Sequence, residues 1–147
     1  MPHSILNRIL VVAAAAIGLS SCERTYRGDQ LSANETTRIK ALAQLSEDEQ
    51  IYQFYSNNDG VEGAGNYCTT KRIGHYWRGQ RAYEIESAYY QDIARITPYY
   101  NPPGDFVVPY LLVTRKDSTQ FKVFVGGEHR QVKDFFVKCL THWRVGH

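Results

Sequence analysis

The sequence predicts a mainly β domain closed by one helix, and three observations carry that reading. Eleven tyrosines, six phenylalanines and both tryptophans fall after residue 22, and strands favour such residues. Short alternating segments recur at roughly 8–12-residue spacing with turn residues between them, the layout of a barrel or sandwich rather than a parallel sheet. Near the C-terminus the apolar period changes. Val132, Phe135, Phe136, Cys139, Leu140 and Trp143 stand at i, i+3, i+4, i+7, i+8 and i+11, a helical stripe with one buried face.

Taken in order, Glu23–Gln30 is polar and aperiodic and reads as a tether. Ser32-Ala33-Asn34-Glu35 has the spacing of a capping box, with Leu31 placed as its staple. Ile39, Leu42, Ala43 and Leu45 then continue a short amphipathic helix over 33–45. Ser46–Glu49 repeats the capping pattern without a helical sequel. Ile51–Ser56 reads as a strand, and Asn57-Asn58-Asp59-Gly60 as a turn. Gly65–Thr69 and Arg72–Arg78 are the next strands, followed by a turn at Gly79-Gln80-Arg81 and alternation over Tyr83–Tyr89. Lys71 and Arg72 are expected to solvate a turn while Ile73 points inward. Asp92 is placed to accept backbone N–H groups at a bend, so that Ile93 and Ile96 seat inside. Pro98–Asp105 is the longest break, with Pro102-Pro103-Gly104 at its tip. Val107–Arg115 is strongly β-like and turns at Lys116–Thr119. Phe121, Val123 and Val125 alternate, with Phe124 as the exception.

Candidate chemistry is sparse. The formal charge is +2, with no basic stripe for nucleic acid and no acidic tail. His75, His129, His142 and His147 do not combine with cysteine at zinc spacing, so no metal or cofactor is expected. Cys139 lies on an apolar helix stripe, where a thiol is inert. There is no G-x-S-x-G elbow. Asp59 and Glu62 fall in a hairpin loop, where both are solvated at ordinary pKa. The residues point away from an enzyme. One concentration lacks a packing explanation: Tyr89, Tyr90, Tyr99, Tyr100 and Tyr110 around the Pro102-Pro103 loop. Alternation cannot bury both members of each Tyr-Tyr pair, so this edge is the candidate partner-binding face.

The N-terminus supplies an address. Arg8 precedes an apolar run of about 11 residues, Ile9–Leu19, within the range of a secretory signal. As a helix it spans roughly 16 Å, about half a hydrocarbon core, too short to cross. Leu19-Ser20-Ser21-Cys22 resembles the lipobox of bacterial lipoproteins. That resemblance implies cleavage after residue 21 and lipidation of Cys22, with two or three acyl chains contributing about 0.8 kcal/mol per buried CH₂. It places the mature chain in the cell envelope, facing the periplasm. Glu23, in place of the aspartate that implies inner-membrane retention, points to the outer membrane. In such an oxidising compartment Cys68 and Cys139 remain as an even pair. A bridge between them would close a loop of about 71 residues, for roughly 4 kcal/mol of chain entropy; two unrelated buried thiols are the alternative.

Several phrases resemble bacterial pleckstrin-homology-like domains: Glu49–Ser56 their opening strand, Thr69-Thr70-Lys71-Arg72-Ile73 the entry to their third, Tyr89–Ile96 a later strand and Lys116–Phe121 their last hairpin. Together these cover 47–144. The resemblance implies a barrel of about seven antiparallel strands plugged by the C-terminal helix. Phosphoinositide binding in that superfamily needs a cluster of cations around the first loop. Here Asn57–Gly63 holds two acids and no base, so no phosphoinositide ligand is expected. The chain thus divides into a signal segment 1–21, a lipidated N-terminus and tether 22–31, a short helix 32–46 and a barrel domain 47–147. The expected function is non-catalytic: an envelope lipoprotein, membrane-bound through its lipid, that binds a protein or envelope component. The alternative is an inhibitor or immunity protein against an envelope hydrolase.

Overall fold

The computed structural model describes residues 24–57 and 60–146. Among the described residues, eight strands form two antiparallel sheets, with a long C-terminal helix laid against them. The first sheet orders β1 (Arg24–Arg27), β2 (Ile51–Ser56), β3 (Ala64–Thr69), β4 (Arg72–Arg78) and β5 (Tyr83–Tyr89) as sequential neighbours. The second holds β6 (Ile93–Tyr99), β7 (Tyr110–Arg115) and β8 (Gln120–Phe124). The α-helices among the described residues are α1 (Ala33–Leu42), the single turn α2 (Gly60–Gly63) and α3 (His129–Val145).

The mainly β class, the short helix and the closing helix agree with the sequence reading. The closed barrel does not. No backbone ladder joins β8 to the first sheet, because side chains occupy the outward groups of β8. Asn66 Oδ1 accepts the Phe124 N–H at 3.0 Å, and the His75 ring meets the Lys122 carbonyl at 2.7 Å. The sheets are stitched together and stay open.

The first sheet is apolar on both faces, as its period-2 geometry allows. Tyr55, Cys68, Ile73 and Ala88 meet Ile93, Ile96, Leu111, Val113, Phe121, Val123 and the α3 stripe in one core. Phe54, Tyr67 and Tyr76 point the other way and pack under Ile39 and Leu42 of α1 and Ala43 just after it in a second core. Gly65 makes that second core possible: a Cβ there would stand 2.5 Å from the Tyr76 ring and 2.6 Å from Phe54.

The α1 capping box forms as expected. Ser32 Oγ accepts the Glu35 N–H at 3.2 Å, and Glu35 Oε2 accepts the Ser32 N–H at 2.8 Å. The helix ends at Leu42, short of residue 45, because Gln44 is left-handed at φ 52°, a helix-stopping conformation. Helix α3 buries Val132, Phe135, Phe136 and Cys139, with Leu140 and Trp143 packed against the same core.

Two other expectations change. Residues 24–31, read as a tether, are folded: β1 pairs with β2, and a 3-10 turn follows at Gly28–Gln30. Short, charged edge strands show little periodicity, which hid this one. Tyr26 packs on Phe54 at 6.5 Å, and Gly28 crosses so near β2 that a Cβ would fall 1.7 Å from the Ile51 carbonyl oxygen. Pro98, read as the start of a break, lies inside β6 opposite Leu111. It is tolerated because β6 is an edge strand.

Candidate functional site: a groove between the sheets

Cross-strand register builds the floor. Tyr55 on β2, Asn66 on β3, His75 on β4 and Glu86 on β5 stand directly opposite one another. These side chains share the face turned toward β8. One step toward the end of the sheet, Ala64 opposes Trp77. Between this wall and the outer edge of β8 lies a groove of about 920 Å³, with Val108, Lys122 and Phe124 on its opposite side. Its rim is apolar and wet: Trp77 is 38% exposed, Phe124 39% and Val108 46%.

The floor is polar and incompletely satisfied. A carbonyl can only accept, so His75 Nδ1 carries the proton that it donates to Lys122. That leaves Nε2 as an acceptor, buried and without a hydrogen-bond partner, 4.0 Å from Glu86 Oε2. Burial lowers the His75 pKa, against the Lys122 carbonyl and Glu86, which raise it. The imidazole is therefore neutral at pH 7. The other Glu86 oxygen is 3.3 Å from the Arg115 guanidinium, which also reaches the Ser87 carbonyl and lies 4.5 Å over the Phe121 ring. The arrangement sets two acceptors side by side beneath aromatic and aliphatic walls: the part-exposed Glu86 carboxylate, open to a water or a ligand donor, and the buried, unpartnered His75 Nε2. It holds no activated nucleophile. Among the described residues, no group of three or more His, Cys, Asp or Glu could hold a metal ion.

Of the residues singled out from sequence, Cys22 lies outside the described residues. Cys68 and Cys139 share one core, as the helix stripe implied, but they are not at disulfide distance: both are free, buried thiols. The expected bridge is corrected accordingly. Instead, Cys68 Sγ sits 3.1 Å from the Tyr90 hydroxyl. Burial, with the neighbouring Cys68 thiol adding to it, pushes the Cys139 thiol well up, so it is unreactive.

The five tyrosines do not form one face. Tyr90 is buried and donates to the Thr69 carbonyl at 2.6 Å. Tyr89 is exposed under the Arg72 guanidinium, 4.9 Å from its ring centre. Tyr100 tucks against Phe136 at 5.1 Å. Only Tyr99 and Tyr110 stay together, stacked at 4.9 Å on the outer face of the second sheet. Tyr110 in turn meets Phe124, 5.8 Å between centroids, where the groove begins.

Arg72 is a further correction. It does not solvate a turn but pairs with Glu49, which is fully buried, through contacts of 2.9 and 2.7 Å. Ser46, whose capping pattern has no helix to cap, donates its N–H and hydroxyl to the same carboxylate at 3.0 Å, and Thr69 adds a third donor at 2.8 Å. Burial alone would raise the Glu49 pKa, but these donors outweigh it and hold the carboxyl down to about 2. Asp92 contributes to its bend through its carbonyl, which accepts the Lys116 N–H at 2.9 Å, and Ile93 and Ile96 are buried as expected.

Sequence reasoning missed the groove. His75 was one of four scattered histidines, and Asn66 and Glu86 had no pattern at all. The signal was Phe124, the one residue that broke the β8 alternation because it faces outward.

A smaller concavity of about 620 Å³ lies among β2, α1 and α3, where Tyr52 stacks on His142 at 3.7 Å. Its lysines are engaged: Lys138 with Asp134 at 2.8 Å, Lys40 with the Glu47 carbonyl at 2.6 Å. It offers less to a ligand than the inter-sheet groove. No protein-family model, curated protein or solved structure matches this chain.

Proposed function

We propose that this chain is a lipid-anchored, non-catalytic lipoprotein of the bacterial cell envelope, facing the periplasm from the outer membrane. It is a recognition module that binds a protein or envelope component through the groove between its sheets. The observation that carries the reading is the groove itself: an exposed Trp77–Val108–Phe124 rim over a floor where His75 Nε2 has no partner. Exposed aromatic anchors around unsatisfied polar groups are the anatomy of a contact surface. The address rests on Leu19-Ser20-Ser21-Cys22 and the apolar run before it. Two sheets followed by one closing helix also support an opened pleckstrin-homology-like plan, with recognition moved from the first loop to the inter-sheet seam.

Isolation from detergent-solubilised envelopes tests the reading. The acylated wild-type protein should carry a stoichiometric partner, and Trp77→Ala with Phe124→Ala should lose it while keeping the acyl mass on Cys22. A partner enzyme silenced in the complex would select the inhibitor reading. Turnover of an envelope polymer by the purified chain would overturn both.

A further inference from the structure

Phe106 is 99% exposed, and Val107 and Val108 beside it are each 46% exposed. A single exposed apolar residue is ordinary, but three in a row form a contiguous patch of the kind that marks a contact with protein or membrane. This loop is also held in shape. Tyr99 donates its hydroxyl to the Asp105 carboxylate, whose other oxygen accepts the Val107 N–H at 2.9 Å. The Asp105 N–H returns to the Pro102 carbonyl at 3.0 Å, and the Pro109 carbonyl is tied to the Val125 N–H at 3.0 Å. The apolar tip is therefore presented by a fixed scaffold, with the Asp105 charge turned back into the loop.

Its position relative to the chain start is the second observation. Arg24, the first residue of β1, pairs with Ser56 at the end of β2. Cys22 is two residues earlier, at most about 7 Å of chain away. Asn57, next to Ser56, and Ala64 and Trp77 stand at this same end of the first sheet, and Val108 lines the groove with all three. From β1 to β4 is three strand spacings, roughly 14 Å. The exposed loop and the point where the chain leaves for Cys22 thus share one end of the molecule. Because Arg24 is already paired with Ser56, at most about 7 Å of chain separates Cys22 from the first sheet, and acyl chains on Cys22 would hold that end of the sheet close to a bilayer.

The surroundings fit a bilayer surface. Trp77 and Tyr110 are aromatic groups suited to the headgroup level. Lys122, with its ammonium 4.4 Å above the Tyr110 ring, can extend to a lipid phosphate while its stem stays on apolar surface.

We propose that Phe106, Val107 and Val108 seat in the membrane surface as a second contact beside the acyl anchor, so that the module lies against the bilayer in one orientation. The inference rests on the reading of Cys22 as lipidated. It also places the groove rim at Val108 near the headgroups, which limits the groove to partners carried on the same membrane.

The test uses full-length acylated protein in vesicles of phosphatidylethanolamine and phosphatidylglycerol. An environment-sensitive fluorophore is placed at Phe106→Cys, or at Val107→Cys should the first variant fold poorly. Lys116→Cys, at the far end of β7, serves as the reference. Cys68 and Cys139 are buried, so the introduced thiol takes the label. At 106 the emission should shift to the blue, and most of it should be lost to lipids brominated in their acyl chains; the label at 116 should behave as in water. Acylated protein whose label at 106 also behaves as in water would overturn the seating and leave the anchor intact. The same label in water on vesicles but covered in native envelopes would assign the loop to a protein instead, again overturning it. Absence of acyl mass on the purified chain would defeat the anchor reading itself, a separate result.

Discussion

Two of the carboxylate–arginine clusters at the first sheet are finished differently. At one end Glu49 is fully buried, and Arg72, Ser46 and Thr69 together take both of its oxygens. At the groove, Glu86 meets Arg115 with one oxygen at 3.3 Å and faces the unpartnered His75 Nε2 with the other at 4.0 Å. The residue types are similar; the degree of completion is not. A buried network with every lone pair answered can only fix a fold. One that keeps acceptors unanswered beside exposed aromatic groups retains capacity for a ligand. The first cluster locks the Ser46–Glu49 segment onto the β3–β4 turn, and the second is the one we propose for recognition.

Removing one side of the sealed cluster should produce the largest effect. Glu49→Gln leaves the part-buried Arg72 without its counter-charge, and urea unfolding should show a loss of about 3 kcal/mol, the lower end for a broken buried pair. The same cluster sets acid sensitivity. The folded-state pKa of Glu49 lies near 2, below its ordinary 4.5, so its contribution is complete above about pH 4.5 and disappears as pH falls toward 2. Wild type should lose stability across that window, and Glu49→Gln should lose much less. Parallel acid profiles for the two would remove the distinction between sealed and open clusters.

Tyr90→Phe comes next. It deletes the donor to the Thr69 carbonyl and the contact with Cys68 inside the main core. A cost of about 1–3 kcal/mol is expected from the buried carbonyl left unpaired, read from the shift in denaturation midpoint.

At the groove the effects are smaller and differ in kind. Because burial lowers the His75 pKa below 6.5, the unfolded chain binds the proton more readily than the folded one. Stability should therefore decline as pH falls through about 6.5, a slope that His75→Gln should flatten. The NMR titration of the ring should show a midpoint below 6.5 with the proton on Nδ1. A midpoint above it would mean that Glu86 outweighs burial, and that the floor is already satisfied. The smallest change in stability belongs to Phe124→Ala, within about 0.5 kcal/mol as for other surface positions, because its ring is 39% exposed. Its effect should fall on partner binding.

How far the sequence made this legible follows the same division. Elements with strong local signals came out closely: Arg72–Arg78 and Tyr83–Tyr89 occur as strands with those bounds, and the 132–143 stripe is the buried face of α3. Ser32 and Glu35 formed their box because capping is local chemistry. Long-range features did not come out. The Glu49–Arg72 pair, the bulk of Tyr90 folded into the core, and the cysteines held as thiols each depend on residues more than 20 positions apart. The groove is made by register across four strands and by two side chains, Asn66 and His75, that reach for the edge of β8. No single segment encodes that arrangement. Val107–Arg115 looked like strand throughout because β-branched residues suit strands; the strand starts only at Tyr110, and the pinned Asp105 turn leaves Val107 and Val108 in a protruding loop instead.

Recognition at the groove is tested most directly by photo-crosslinking in intact envelopes. The crosslinking residue is introduced at Phe124 on the groove rim, and at Gln120 on the same strand away from it. The reading predicts one discrete adduct from position 124, abolished by Trp77→Ala, and none from 120. Adducts from 120 with none from 124 would contradict it.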